Sequence, residues 1–176
     1  MRDLPLARVY QFIEPGPVVL LTTAERGRLN VMTMSWHMMM EFEPPLIGCI
    51  VSEGDYSFAA LRRTRECVIA IPSVELASTV VGIGNCSGRD VDKFMQFGMT
   101  AKPARLVGAP LIAECFVNLE CRCVDTRLVR RYDMFVLEVV KAWIDPARRN
   151  ARTLHHRGFG RFAVDGETIS LRSRMR

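Results

Sequence analysis

Lysine is nearly missing from this chain. It occurs only at Lys93, Lys102 and Lys141, so the net charge of +5 is carried almost wholly by arginine. Arginine's rigid, permanently charged fork pairs bidentately with phosphates and carboxylates, which points to an anionic ligand. The basic residues are dispersed apart from the runs at 127–131 and 148–157 and the closing "LRSRMR", and no aromatic residues interleave them. That pattern is a solvated basic surface and argues against a nucleic-acid partner.

Histidine is equally scarce. With only His37, His155 and His156 present, acid–base chemistry near neutral pH has few carriers. GxSxG and HExxH are absent, and no carboxylate pair has glycosidase spacing, so hydrolytic nucleophile chemistry has no warrant. The six cysteines at 49, 67, 86, 115, 121 and 123 include no CxxC, and His155 and His156 are adjacent rather than spaced for convergence on a metal. Reduced core thiols are the expectation and no metal site is assigned. No apolar run approaches the roughly 20 residues needed to span a bilayer, and no leader pattern opens the chain. The expectation is a soluble, cytoplasmic protein with no membrane partner.

What remains is ordinary globular composition, 49% hydrophobic and 24% charged over 176 residues. This is one domain's worth of chain, taken as 1–176. "LARVYQFI" reads as one or two helical turns, "PVVLLTTA" as a buried strand, and "LNVMTMSWHM" as its hairpin partner across a turn centred on Gly27. "LIGCIVS" and "ECVIAIPS" are further strands, separated by a short helix in "DYSFAALRRT" with Asp55 as its cap. "SVELASTVVGIG" has helical spacing behind Ser73 as a candidate N-cap. In "CFVNLECRCVD", Cys115, Val117, Leu119, Cys121 and Cys123 form a buried face, while Asn118, Glu120 and Arg122 face water. "YDMFVLEVVKAWID" is apolar on both faces, which suggests a subunit interface. Short turns and the lack of regular strand–helix alternation favour a mainly β, closed or partly closed antiparallel barrel with a few short helices.

Three stretches carry candidate chemistry. Read as one strand, "NVMTMSWHM" puts Val31, Thr33, Ser35 and His37 on one face and Asn30, Met32, Met34, Trp36 and Met38 on the other. The hydroxyl row either binds a polyhydroxyl ligand or faces solvent; Met32, Met34 and Met38 read as core filler behind it. "GIGNCSGRDVDKF" imitates a dinucleotide fingerprint, but it follows a helical segment and no acidic residue follows at the ribose distance, so a Rossmann site is rejected. Its Ser87, Gly88, Arg89 and Lys93 suit either a phosphate cradle or a turn into the next helix. "VSEGDYSF" gathers Ser52, Tyr56 and Ser57 where a helix begins, for an anion or for ordinary capping.

In this order, "EPGPVVLLTTAERGRLNVMTMSWHMMMEFEPPLIGCIVSEGDYSF", "ECVIAIPS", "SGRDVDKF" and "LHHRGFGRFAVDGETI" resemble the flavin reductase-like, FMN-binding split-barrel family, particularly its flavoredoxin-like branch. The resemblance implies a Greek-key split β-barrel, a homodimer, and one non-covalent FMN per subunit. It implies flavin contacts from Asn30, Thr33, Met34, Ser35, Trp36, His37, Cys49, Ser52, Tyr56 and Ser57, with Ser87, Gly88 and Lys93 at the phosphate end. His155, His156 and Phe159 fall where the pattern is loosest. The expected activity is hydride transfer from NAD(P)H to flavin with electrons passed to an acceptor. The alternative is an FMN electron carrier fed by a redox protein. A basic nucleic-acid-binding barrel, which would be colourless, is the third reading.

Overall fold

Alternation of apolar and polar residues shapes most of the chain in the structure, a computed structural model in which residues 1–172 are described. The last four residues of the basic "LRSRMR" end lie outside the described residues. A short strand β1 (Arg2–Asp3) and helix α1 (Tyr10–Ile13) lead into β2 (Val19–Glu25), β3 (Arg28–Met34), β4 (His37–Phe42) and β5 (Pro45–Ile50). Helix α2 (Tyr56–Thr64), β6 (Glu66–Ile71), α3 (Ala77–Gly84) and α4 (Lys93–Gln96) follow, then the small pair β7 (Ala101–Lys102) and β8 (Leu111–Ile112). The long strands β9 (Val117–Asp125) and β10 (Met134–Ile144) flank α5 (Val129–Tyr132), and the hairpin β11 (Leu154–His156) and β12 (Phe162–Val164) ends the ordered elements.

The main sheet runs β3-β2-β6-β9-β10-β5-β4, with β1 added beside β10, and its pairings are antiparallel. Its two ends, β3 and β4, are consecutive in the chain and are joined only by Ser35 and Trp36. Laid flat, six inter-strand steps would hold those ends roughly 28 Å apart. The linker from Met34 to His37 reaches at most about 11 Å. The sheet therefore has to curl until its edges meet. The edges do not bond to each other, and that is the split in the barrel.

This geometry corrects the expectation of one strand through "NVMTMSWHM". Parity holds from Asn30 to Met34, but the chain leaves the sheet at Ser35 and Trp36 and enters β4 at His37. The continuous hydroxyl row does not form. Met34 lies in the barrel core and Met32 packs against it, as expected for filler. Met38 does not: it is 51% exposed and lies on the outer face with Met40 and Met134 over Gly48, where a Cβ would meet Met40 Sδ at 2.9 Å.

The barrel core holds Val19, Leu21, Ile47, Ile69, Leu119, Phe135 and Leu137 together with four thiols, Cys49, Cys67, Cys121 and Cys123. Helix α2 closes one side by burying Phe58 and Leu61, worth roughly 1.5–3 kcal/mol each, and ends at Arg65 in the left-handed region. A second cluster sits outside the sheet, where Val80 and Ile83 of α3 and Phe94 of α4 cover Leu20 and Val31. Ser73 precedes a 3-10 turn at Val74–Leu76, and its side chain caps nothing.

The face of β9 expected to be wet is partly buried. Asn118 and Glu120 have no exposure, because the segment around residues 104–112 folds over them. Glu120 receives hydrogen bonds from Arg105 N (3.0 Å), Leu106 N (2.6 Å) and Trp143 Nε1 (2.7 Å). Asn118 bonds Ile112 through both its carbonyl oxygen (2.8 Å) and its amide nitrogen (3.0 Å). A sequence alternation shows polarity, not whether a loop will bring donors to it; only Arg122 of the three stays exposed.

Candidate functional site

As a terminal strand, β3 is bonded on one side only, so a cleft can form along its free edge. That cleft, about 230 Å³, is bounded by β3, the start of α2, the last turn of α3 and the loop into α4. It gathers Asn30, Thr33, Tyr56, Ser57, Ser87, Gly88 and Lys93, seven positions taken from three separate sequence stretches. Met32, Ile83, Gly84, Cys86 and Arg89 complete much of the lining.

Lys93 gives the cleft its charge. The residue is 6% exposed, and its ammonium donates to Ile83 O at 2.9 Å. No carboxylate forms an ion pair with it among the described residues. Burial lowers its pKa from the usual lysine range, partly offset by Cys86 and Asp55. The carbonyl end of α3 favours the cation only modestly, and an ammonium has three donors. Two of them remain for an anion in the cleft.

The other walls have the same character. Asp55, at the N-cap of α2, does not bond the helix's first amides; its carboxylate accepts from Ser52 N at 3.0 Å. The positive end of a nine-residue helix thus faces the cleft without its own cap. Asn30 Nδ2 donates to Ser57 Oγ at 2.8 Å, which leaves the serine proton free to point at a ligand. Gly88 is required where it stands, since a Cβ would fall 2.1 Å from Asn30 Oδ1 and 2.7 Å from Tyr56 Cδ1. Arg28, with no sequence signature of its own, fixes this loop by donating to Gly88 O at 2.6 Å. A buried cation, uncapped amides, hydroxyls and a side-chain-free backbone approach together fit a phosphate monoester.

The site residues inferred from sequence other than these seven lie outside the cleft, and one of the seven has its hydroxyl committed. Thr33 does line the cleft, but its hydroxyl already donates to Val80 O at 2.6 Å. Met34 and Cys49 point into the barrel core at 4% and 1% exposure, so neither side chain reaches the cleft. Burial drives the Cys49 thiol's pKa far up, so it stays protonated. Ser35 is half-buried at the bend, Trp36 stands 71% exposed, and Ser52 is exposed with its hydroxyl accepting from Gly54 N. His37 Nε2 donates to Pro17 O at 2.7 Å, while Nδ1 is buried with no partner among the described residues. Protonating Nδ1 would bury an unpaired N–H, and desolvation accordingly lowers the His37 pKa. His155 bonds Thr153, His156 stacks near Phe162, and Phe159 is fully exposed; none lines this cleft.

Fold and site together define a mainly β split barrel with a small polar cleft, holding a buried lysine, at the open edge of its sheet. The chain belongs to the flavin reductase like domain family, whose model matches residues 13–163. Among curated relatives it is similar to the uncharacterized protein YddH of Escherichia coli (strain K12), 31% identical over 95% of this chain and 96% of that one. An uncharacterized protein of Archaeoglobus fulgidus is 32% identical over 63% of each chain. Among solved structures, an FMN-binding domain of a flavin reductases-like enzyme from Shewanella baltica OS155 superposes with TM-score 0.89 at 24% identity, covering 97% of both chains. The flavoredoxin of Desulfovibrio vulgaris (Miyazaki F) gives 0.80 at 22% identity over 89% of this chain and 90% of that one. At these identities the structures establish the shared fold.

Proposed function

We propose that this protein binds FMN with the phosphate at Lys93 and acts as an oxidoreductase that moves a hydride from NADH or NADPH to the flavin and passes the electrons to an acceptor. The observation that carries the reading is the buried Lys93 ammonium, which forms no ion pair with a carboxylate among the described residues and faces a cleft with uncapped helix amides. Family membership and the FMN-binding and flavoredoxin neighbours support it. Bound FMN supplies the hydride acceptor and the capacity to release electrons singly or in pairs.

The chain's own residues then have modest tasks. Lys93 and the amides at the start of α2 offset the phosphate charge, Ser57 and Ser87 offer hydroxyls, and Gly88 admits the close approach of the loop backbone. No catalytic acid is required of them, because hydride transfer depends chiefly on holding the nicotinamide's donor carbon within reach of the flavin's accepting nitrogen. That agrees with a cleft whose lining contains no histidine, His37 lying outside it against Pro17 O. The exposed apolar row Trp36, Met38, Met40 and Phe42 lies on and beside the edge strand β4. Such a row on an open sheet edge suits a second copy of the chain, and a homodimer is part of the proposal. Sedimentation analysis tests this, with a monomer at micromolar concentration counting against it.

The decisive activity test is anaerobic mixing of the FMN-loaded protein with NADH or NADPH while the flavin absorbance is followed. Bleaching by either nucleotide is expected. If neither bleaches bound flavin, the reductase reading fails and an electron carrier fed by a redox protein takes its place.

A further inference from the structure

Phe159 stands fully exposed at the tip of the β11–β12 hairpin. Its backbone has φ of 50°, between Gly158 at 84° and Gly160 at 70°. Glycine enters that left-handed region freely, whereas a bulky side chain is strained there. The turn is nonetheless pinned, since Arg157 N donates to Arg161 O at 2.8 Å and Arg161 N to Gly158 O at 3.0 Å. A strained residue held in a pinned turn points to a function for the side chain it carries. Here the turn projects an aromatic ring between Arg157 and Arg161, both exposed and neither in an ion pair among the described residues.

The complementary shape lies elsewhere on the same chain. A pocket of about 480 Å³ between α1 and β4 is walled by Ile13, Met38, Met39, Met40 and Phe42. Methionine thioethers adapt to an inserted ring and make favourable contacts with it. Glu14 and Glu41 also line this pocket; both are exposed, and neither forms an ion pair among the described residues. The other titratable group on the lining is His37, whose pKa desolvation lowers, so the pocket keeps its negative character at neutral pH.

We infer that the Phe159 tip of one copy of this chain seats in the methionine pocket of a second copy, with Arg157 and Arg161 against Glu14 and Glu41. The inference rests on the homodimer of the proposed function and names the contact that holds it. Tip and pocket belong to one region of the surface. Val18 N donates to Leu154 O at the base of the hairpin (2.6 Å), while the neighbouring Gly16, and the His37 bonded to Pro17 O, border the pocket. A two-fold axis between them carries each tip to the other copy's pocket, the reciprocal arrangement of a closed dimer. The exposed row Trp36, Met38, Met40 and Phe42 continues the apolar contact along β4. Since ring, pocket and both sets of charges are written in one sequence, shape and charge select a second copy as the occupant.

Sedimentation equilibrium tests this on the wild type, on Phe159→Gly, and on two charge reversals, Arg157→Glu with Arg161→Glu and Glu14→Arg with Glu41→Arg. Glycine relieves the positive φ, and the reversals replace exposed residues, so the fold is kept. A dimer holds two such ring contacts, and Phe159→Gly should weaken dimerisation about 100-fold or more. Each reversal alone should weaken it about tenfold or more through like-charge contacts. An equal mixture of the two reversals should recover as a heterodimer, because one of its contacts is the original and the other has both signs exchanged. Variants that dimerise as well as the wild type, or reversals that do not recover on mixing, would overturn the tip-in-pocket contact and leave the homodimer standing. A wild type that is monomeric at micromolar concentration would overturn the homodimer reading as well. If that monomer cosedimented with phosphatidylglycerol vesicles and Phe159→Gly did not, the tip would belong to a lipid surface instead.

Discussion

Replacing Lys93 with methionine separates the ligand's needs from those of the fold. Methionine keeps most of the buried stem and removes the ammonium, whose hydrogen bond in the structure is the 2.9 Å contact to Ile83 O. In the free protein the variant loses that bond, about 1 kcal/mol, and is relieved of a desolvated charge, so its stability should change little or rise. The bound state behaves differently. A charge-assisted contact to phosphate is worth roughly 1.5–3 kcal/mol, so FMN affinity should fall about 10- to 150-fold. Riboflavin has the same ring and ribityl chain with no phosphate, and its affinity should not move. The wild type should also lose FMN affinity on the alkaline side as the depressed Lys93 amine gives up its proton, and Lys93→Met should abolish that loss. Fluorescence titration with both flavins over pH provides the assay. Equal losses for riboflavin and FMN, or no loss with the fold intact, would refute the placement of the phosphate.

Gly88→Ala should weaken FMN binding and lower stability by about 1–3 kcal/mol, because the new methyl overlaps Asn30 and Tyr56 and displaces the loop; calorimetry and the same titration check both. Glu120→Ala strands the Arg105, Leu106 and Trp143 donors in a buried setting, and chemical denaturation should show a loss of roughly 3–5 kcal/mol. For His37 the folded pKa lies below its ordinary 6.5, so the unfolded chain takes the proton first. Stability should fall as pH drops below about 6.5, by at most about 1.4 kcal/mol per unit, until the folded imidazole also titrates. Subtracting the denaturation curves of His37→Gln from those of the wild type isolates that component, and a flat difference would count against the neutral buried imidazole.

Much of the architecture was legible because strands with one buried face announce themselves by alternation. The hairpin about Gly27, the strands at residues 66–71 and 117–125 and the helix begun behind Asp55 all follow from local pattern. What local pattern could not show is where a strand bends out of its sheet. Ser35 and Trp36 have no breaker between them, and the bend exists because β3 and β4 belong to opposite ends of a curled sheet. Asn118 and Glu120 show the same limit, since their burial depends on a loop that folds over β9. In the site, Asn30, Tyr56, Ser57, Ser87, Gly88 and Lys93 converge although they come from segments far apart in the chain. Met34 and Cys49 do not join them, because both are packed in the barrel core, Met34 two residues beyond the Met32 that still reaches the cleft on the same strand face. Arg28 left no trace in the sequence; its role depends on reaching across space to the carbonyl of Gly88.

A crystal structure of the protein grown with FMN would test the central claim most directly. The account predicts the flavin phosphate within hydrogen-bond distance of Lys93 Nζ, against the first turn of α2 and the Ser87–Gly88 backbone. A phosphate bound elsewhere, with Lys93 still turned to Ile83 and the cleft holding only water, would contradict it.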